Sequence, residues 1–231
     1  MSDEVALWQE TQARVGGLVR AVEQEDPAAL RRPVPACPDW SGRDLLAHMV
    51  GLGADVLAGD EPDDHNPSWT QAQVDARAGR DGAALVDEWD DLAPRLADWM
   101  RAHGTRPLGD VVIHEQDLRG ALGRPGGRDS GGFAAIRDRM TGRLATRWAE
   151  HGGGRTLGLV ADDDGWTWCS ADVDPSGADV VLRASGFDLG RAVVARRTAT
   201  QLRGWVVCGE LGDGVQAFAV LGPLPEQPLP E

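Results

Sequence analysis

Asp110-Val111-Val112-Ile113-His114-Glu115-Gln116-Asp117-Leu118-Arg119-Gly120-Ala121-Leu122, with Pro107 ahead of it and Gly123-Arg124-Pro125-Gly126-Gly127 behind, reads as a helix with a marked start and stop. Within it Asp110 and His114 stand four residues apart. At 3.6 residues per turn such a pair differs by about 40° around the axis and roughly 6 Å along it, so a carboxylate and an imidazole share one face and one cation can bridge them. His48, on an earlier helix, is a third possible ligand. Two neutral imidazoles and one carboxylate leave a divalent ion about one net positive charge and an open coordination position, the form of a catalytic rather than a structural zinc site. The spacing also suits an ordinary pair near a helix N-terminus, where a carboxylate complements the dipole.

Outward from this helix, apolar residues recur at helical spacing. Val5, Trp8, Val15, Leu18, Val19 and Val22 predict a first helix that stops near Asp26-Pro27. Ser41 with Asp44 predicts a capping box that opens a second helix, through about Leu57, with His48 two turns inside it. Trp69, Val74, Leu85, Trp89, Leu92, Leu96 and Trp99 predict a long third helical region ending near His103-Gly104, with Gly79 and Gly82 as interruptions to be tested. The segment Arg31 to Trp40 holds Pro33, Pro35 and Pro38 and reads as a loop, as does the polar stretch from Glu61 to Pro67. Four helices of this length favour a bundle, whose facing side chains commonly build metal sites.

After Gly131-Gly132, Phe133, Ile136, Met140, Leu144 and Trp148 mark a fifth helix that stops at His151-Gly152. The pattern then changes to strands at Thr156 to Ala161 and Trp166 to Ser170, joined as a hairpin through Asp162-Asp163-Asp164-Gly165, and a third at Asp179 to Arg183. A helix from Gly186 to Arg197 and a strand at Trp205 to Cys208 complete the expectation, and the tail from Pro223 reads as irregular. The fold class is thus α+β: a helical domain over residues 1–154 and a small α+β domain over 155–231.

The 231 residues carry a net charge of −14, and every basic residue is arginine. This disfavours nucleic acid as a partner, because a phosphate backbone needs a concentrated basic face. No apolar run is long enough to span a bilayer, and the opening residues, with Asp3, Glu4 and Glu10, lack the pattern of an export signal, so the expected location is cytoplasmic with no membrane partner. Cys37, Cys169 and Cys208 are odd in number and lack CxxC spacing, which argues for reduced thiols; Cys37 reads as a buried, inert one.

Cys37-Pro38-Asp39-Trp40-Ser41-Gly42-Arg43-Asp44-Leu45-Leu46-Ala47-His48 resembles the C-P-G-W-(S/T)-x-x-D-L-x-x-H stretch of the mycothiol-dependent maleylpyruvate isomerase family. The stretch from Asp110 to Gly126 resembles that family's (D/E)-x-x-x-H-E-x-D-x-R-x-A-x-G-R-P-G signature, in the right order and separation, and the segment after Thr156 is similar to the family's C-terminal domain. The resemblance implies a DinB-like four-helix bundle followed by a small α+β C-terminal domain. It implies His48, Asp110 and His114 as ligands of a divalent metal, zinc first with iron or nickel as alternatives; aspartate here is one methylene shorter than the glutamate common in the family.

It further implies that mycothiol, or a related low-molecular-weight thiol, is activated as a metal-bound thiolate for isomerisation of, or S-transfer to, a small electrophile such as a maleylpyruvate-like compound. Ala192-Val193-Val194-Ala195-Arg196-Arg197 resembles a small-residue-Gly-Arg segment of the family's C-terminal domain. Arg196 would then grip an anionic substrate or cosubstrate in the cleft, with Ala195 standing where the family has glycine; the alternative is a surface arginine ending a helix. Asp117 and Arg119 are expected to be orienting or structural, Glu115 to be a solvated residue, and His65, His103 and His151 not to bind metal. Two rival functions share the ligand set: a non-haem iron enzyme of oxidative sulfur chemistry, and a non-catalytic protein that binds a metal or small molecule. The sequence leaves oligomeric state open.

Overall fold

The computed structural model describes residues 3–62 and 66–231. By contact the chain separates into two units, Met1–Gly127 with Pro230–Glu231, and Arg128–Leu229.

In the first unit Asp3 accepts hydrogen bonds from the amides of Val5 and Ala6 and starts α1 (Glu4–Glu25). It is followed by α2 (Gly42–Ala58), α3 (Pro67–Asp75), α4 (Gly82–His103) and α5 (Pro107–Leu122). Helices α1 and α2 each pack against α4 and α5, which gives the expected four-helix bundle, and α3 rides on α2. Trp8, Val15, Val19, Leu45, Leu46, Leu85, Trp89, Leu96, Met100, Leu108 and Leu118 fill its core. Trp8 and Trp89 meet edge to face, centroids 6.4 Å apart at 80°, the arrangement that the aromatic quadrupole favours.

One local reading is settled and one is corrected. The long third helical region is two helices, separated where Gly79 takes φ +81° and Asp81 caps α4 by accepting from the Ala84 amide. Arg43 braces this break, donating to the carbonyls of Arg80 at 2.9 Å and Arg77 at 2.5 Å. The proline-rich loop contains a hairpin, β1 (Pro33–Val34) paired antiparallel with β2 (Cys37–Ser41). A two-stranded ribbon has only edges, so prolines that would break a central strand are tolerated there.

The expected capping box is present. Ser41 Oγ accepts from the Asp44 amide at 3.2 Å, and Asp44 Oδ2 accepts from the Ser41 amide at 3.1 Å. Burial opposes the Asp44 charge, but the Ser41 hydroxyl and amide and the Arg43 guanidinium together hold its pKa below the ordinary 3.8. A depressed carboxylate pKa contributes stability that is complete above the unfolded value and is lost as pH falls through the folded one. Asp44→Ala is expected to lower the unfolding free energy by about 1 kcal/mol at pH 7. Urea midpoints of wild type and variant should converge as the pH is taken below about 4.

The second unit begins with α6 (Gly131–His151). The helix thus groups by contact with the segment after residue 155, where the sequence reading set the division at 154/155. Strands β3 (Leu157–Ala161), β4 (Thr167–Cys169), β5 (Val180–Ala184) and β6 (Val206–Cys208) form one mixed sheet in the order β4-β3-β5-β6. β3 and β4 are the predicted hairpin, and β3 runs parallel to β5. Among the described residues no helix is long and apolar enough to cross a membrane.

The helix expected over 186–197 is shorter: α7 (Gly186–Ala192) stops, and α8 (Ala199–Gly204) follows after a turn. The reason lies at Ala195, whose φ of +59° makes it the one non-glycine residue in left-handed conformation among those described. A Cβ in that region crowds the following carbonyl, a strain of roughly 1 kcal/mol. Ala195→Gly is therefore expected to raise the unfolding free energy by about 0.5–1 kcal/mol, read from urea denaturation. No gain would contradict the strain.

Candidate metal centre

Three side chains of the first unit converge: Asp110 and His114, four residues apart on α5, and His48 of α2. His48 Nε2 lies 3.2 Å and His114 Nε2 3.5 Å from Asp110 Oδ1, and one donor atom from each of the three lies within 4.8 Å of the others. Bonds of about 2.0–2.1 Å in a tetrahedron separate neighbouring donors by about 3.3 Å. Both measured separations bracket that value, so the donor set fits a small divalent cation, and aspartate in place of glutamate still reaches both rings.

The rings are oriented from behind. His48 Nδ1 is 2.7 Å from Gln73 Oε1, and Gln73 Nε2 donates to Asp55 Oδ2 at 2.7 Å. Because the amide NH2 must face the Asp55 carboxylate, its oxygen faces the ring, and His48 must carry its proton on Nδ1. Its Nε2 lone pair is then aimed at a carboxylate oxygen. Two acceptors at 3.2 Å need a proton or a cation between them.

His114 repeats the arrangement: its Nδ1 is 3.0 Å from Asp117 Oδ2, a carboxylate with no solvent exposure. Burial penalises its charged form, but the Asp110 charge, the Asp117 hydrogen bond and the neighbouring Cys37 thiol outweigh that penalty and push its pKa up to about 10. A proton and a cation would compete for the same lone pair. The two rings stand edge to face at 5.2 Å, and Trp40, carried by β2, lies 5.0 Å from His48. The indole Nε1 of Trp40 donates to Gln71 of α3, so the hairpin and α3 flank His48 together.

Several single-residue readings change. Glu115 is not a solvated residue: its side chain is 1 % exposed, and it accepts from Arg14 of α1 at 2.8 and 3.0 Å and from Arg119 at 3.0 and 3.1 Å. The glycine-rich loop closes over this cluster, since a Cβ at Gly127 would lie 2.8 Å from the Glu115 carboxylate and one at Gly126 2.9 Å from the Arg119 guanidinium. Cys37 is partly exposed rather than buried, and it groups with His114 and Asp117 as possible cation donors. Asp117 holds His114, the orienting role expected of it. Gln73 and Asp55 went unnoticed in the sequence, because neither belongs to a motif and only the packing of α3 on α2 joins them to His48. A signal existed in Gly51, where a Cβ would meet the Gln73 Cβ at 2.5 Å. Arg196 belongs to the second unit, where its Nη1 donates to the Val194 carbonyl at 3.3 Å. His65 lies outside the described residues.

Residues 8–119 match the family described as mycothiol maleylpyruvate isomerase N-terminal domain. That segment is a domain of this family. No curated protein and no solved structure matches the chain significantly. The matched segment begins in α1 and ends in α5, so it encloses Cys37, His48, Gln73, Asp110, His114 and Asp117, the residues that the maleylpyruvate isomerase domain draws together here.

The orienting amide gives a test. Gln73→Leu removes the acceptor for His48 Nδ1 while keeping bulk, and zinc affinity, measured by chelator competition, is expected to fall about 10–100-fold. Unchanged affinity would show that the amide does not position the ring.

Proposed function

We propose that the first unit is a divalent-cation centre that activates a low-molecular-weight thiol of the mycothiol kind, for isomerisation of, or S-transfer to, a small electrophile. The observation that carries this is two histidine lone pairs and one carboxylate oxygen converging at separations that suit a cation, within a domain of a family named for thiol chemistry. A divalent ion held by His48, Asp110 and His114 supplies positive charge that favours a thiolate over a thiol. With two neutral imidazoles and one carboxylate the set would retain about one net positive charge, which suits an incoming anionic sulfur.

The protein's own groups prepare that event. Gln73 and Asp117 hold the Nδ1 protons, so no tautomer change is needed when a cation enters between His48, Asp110 and His114. Trp40 covers one side of His48 and limits the approach of water. Arg196, a residue of the second unit, is proposed to bind a carboxylate, a task for which the planar guanidinium is suited.

Purified protein is expected to bind about one equivalent of zinc. His48→Ala and His114→Ala should each lose both the metal and mycothiol-dependent turnover of a chromogenic electrophile. A metal-free variant with full activity would overturn the proposal. Co-purified iron with thiol-dependent oxygen consumption would transfer the same ligands to oxidative sulfur chemistry.

A further inference from the structure

Cys37 has no part in the chemistry proposed above, yet its sulfur, a ring nitrogen of His114 and a carboxylate oxygen of Asp117 all lie within 4.8 Å of one another. The three donors come from two elements, β2 and α5, and His114 is common to this group and to the first. We propose that Cys37, His114 and Asp117 form a second cation seat, selective for thiophilic ions such as Cd²⁺ and mutually exclusive with the seat formed by His48, Asp110 and His114.

Selectivity follows from donor type. The first group offers nitrogen and oxygen only, whereas the second adds sulfur, which ranks soft d¹⁰ ions above hard ones. Charge points the same way: a thiolate, a carboxylate and a neutral imidazole cancel a divalent ion, while the first group leaves about one positive charge. Binding here releases the Cys37 proton to solvent. The seat is reachable, because Cys37 is partly exposed, while Asp117 at its back is fully buried.

Exclusion follows from the shared ring. A neutral imidazole has one lone pair, so His114 can serve one cation at a time. At the first seat it uses Nε2, with Nδ1–H donated to Asp117 at 3.0 Å; at the second it uses Nδ1, with Nε2–H turned toward Asp110 at 3.5 Å. The exchange needs no ring rotation. Asp110 and Asp117 trade roles, one coordinating while the other orients. A thiophilic ion would thereby disable the first seat by withdrawing His114 from it, without occupying it.

The existence of the second seat is independent of the proposed thiol chemistry; only its exclusivity rests on the first seat holding a cation. The test uses the full chain with Cys169 and Cys208 replaced by serine, leaving Cys37 as the sole thiol. Metal-free protein is titrated with Cd²⁺ while the ultraviolet sulfur-to-cadmium charge-transfer band is recorded. The band should saturate at one ion per chain, vanish in Cys37→Ser, persist in His48→Ala, and require at least about tenfold more Cd²⁺ in Asp117→Asn. With zinc loaded first, growth of the band should release zinc to a coloured indicator in equal amount.

No band in the folded parent chain, a band that survives Cys37→Ser, or loss of the band in His48→Ala would overturn the seat. A complete band with zinc retained would overturn the exclusion. Zinc bound equally well by parent and His48→Ala, with the band still dependent on Cys37, would refute the first seat and leave the second standing. Far-ultraviolet circular dichroism identifies any variant that fails to fold, and Cys37→Ser, the mildest of the set, then decides.

Discussion

The centre depends on the division of labour between the two nitrogens of each histidine. One holds a proton against a buried acceptor, and the other is thereby left with a lone pair in a known direction. For His48 the direction is set two hydrogen bonds away, because the Asp55 carboxylate fixes the Gln73 amide and the amide fixes the ring. An imidazole without such a partner can hold its proton on either nitrogen and turn about its χ angles, and a cation would have to supply the cost of ordering it.

Helix α5 does two jobs with one run of residues. Asp110, His114 and Asp117 fall within about 60° of one another around its axis, while Glu115 lies about 100° from His114. The first three face the candidate centre; Glu115 instead meets Arg14 of α1. The H-E-x-D-x-R pattern therefore mixes cation chemistry with a structural clamp. The trailing glycines belong to the clamp, since side chains there would collide with Glu115 and Arg119.

Much of this was legible in the sequence. Helical periodicity found the bundle, Ser41 and Asp44 marked the start of α2, and the four-residue spacing placed Asp110 beside His114. What escaped were features set by contacts between elements. The hairpin at Pro33 to Ser41 was hidden because proline lowers strand propensity without forbidding a two-stranded ribbon. Glu115 was misread because a charged residue seldom signals burial unless its partners are known, and Arg14 is distant in sequence. Gln73 was silent for a similar reason: an amide in a short helix has no pattern of its own. In the second unit, the left-handed turn at Ala195 escaped because alanine, unlike glycine, carries no sequence signal for a positive φ.

The Arg14–Glu115–Arg119 cluster has an implication for how such a chain diverges. Removing either arginine leaves the buried carboxylate with one partner fewer, and removing the carboxylate leaves two cations facing each other, so each single step is penalised. Replacement of the whole trio by well-packed apolar residues carries no such penalty. Descendants should therefore retain all three or none, and position 14, which lies far from every motif, should vary in concert with 115 and 119.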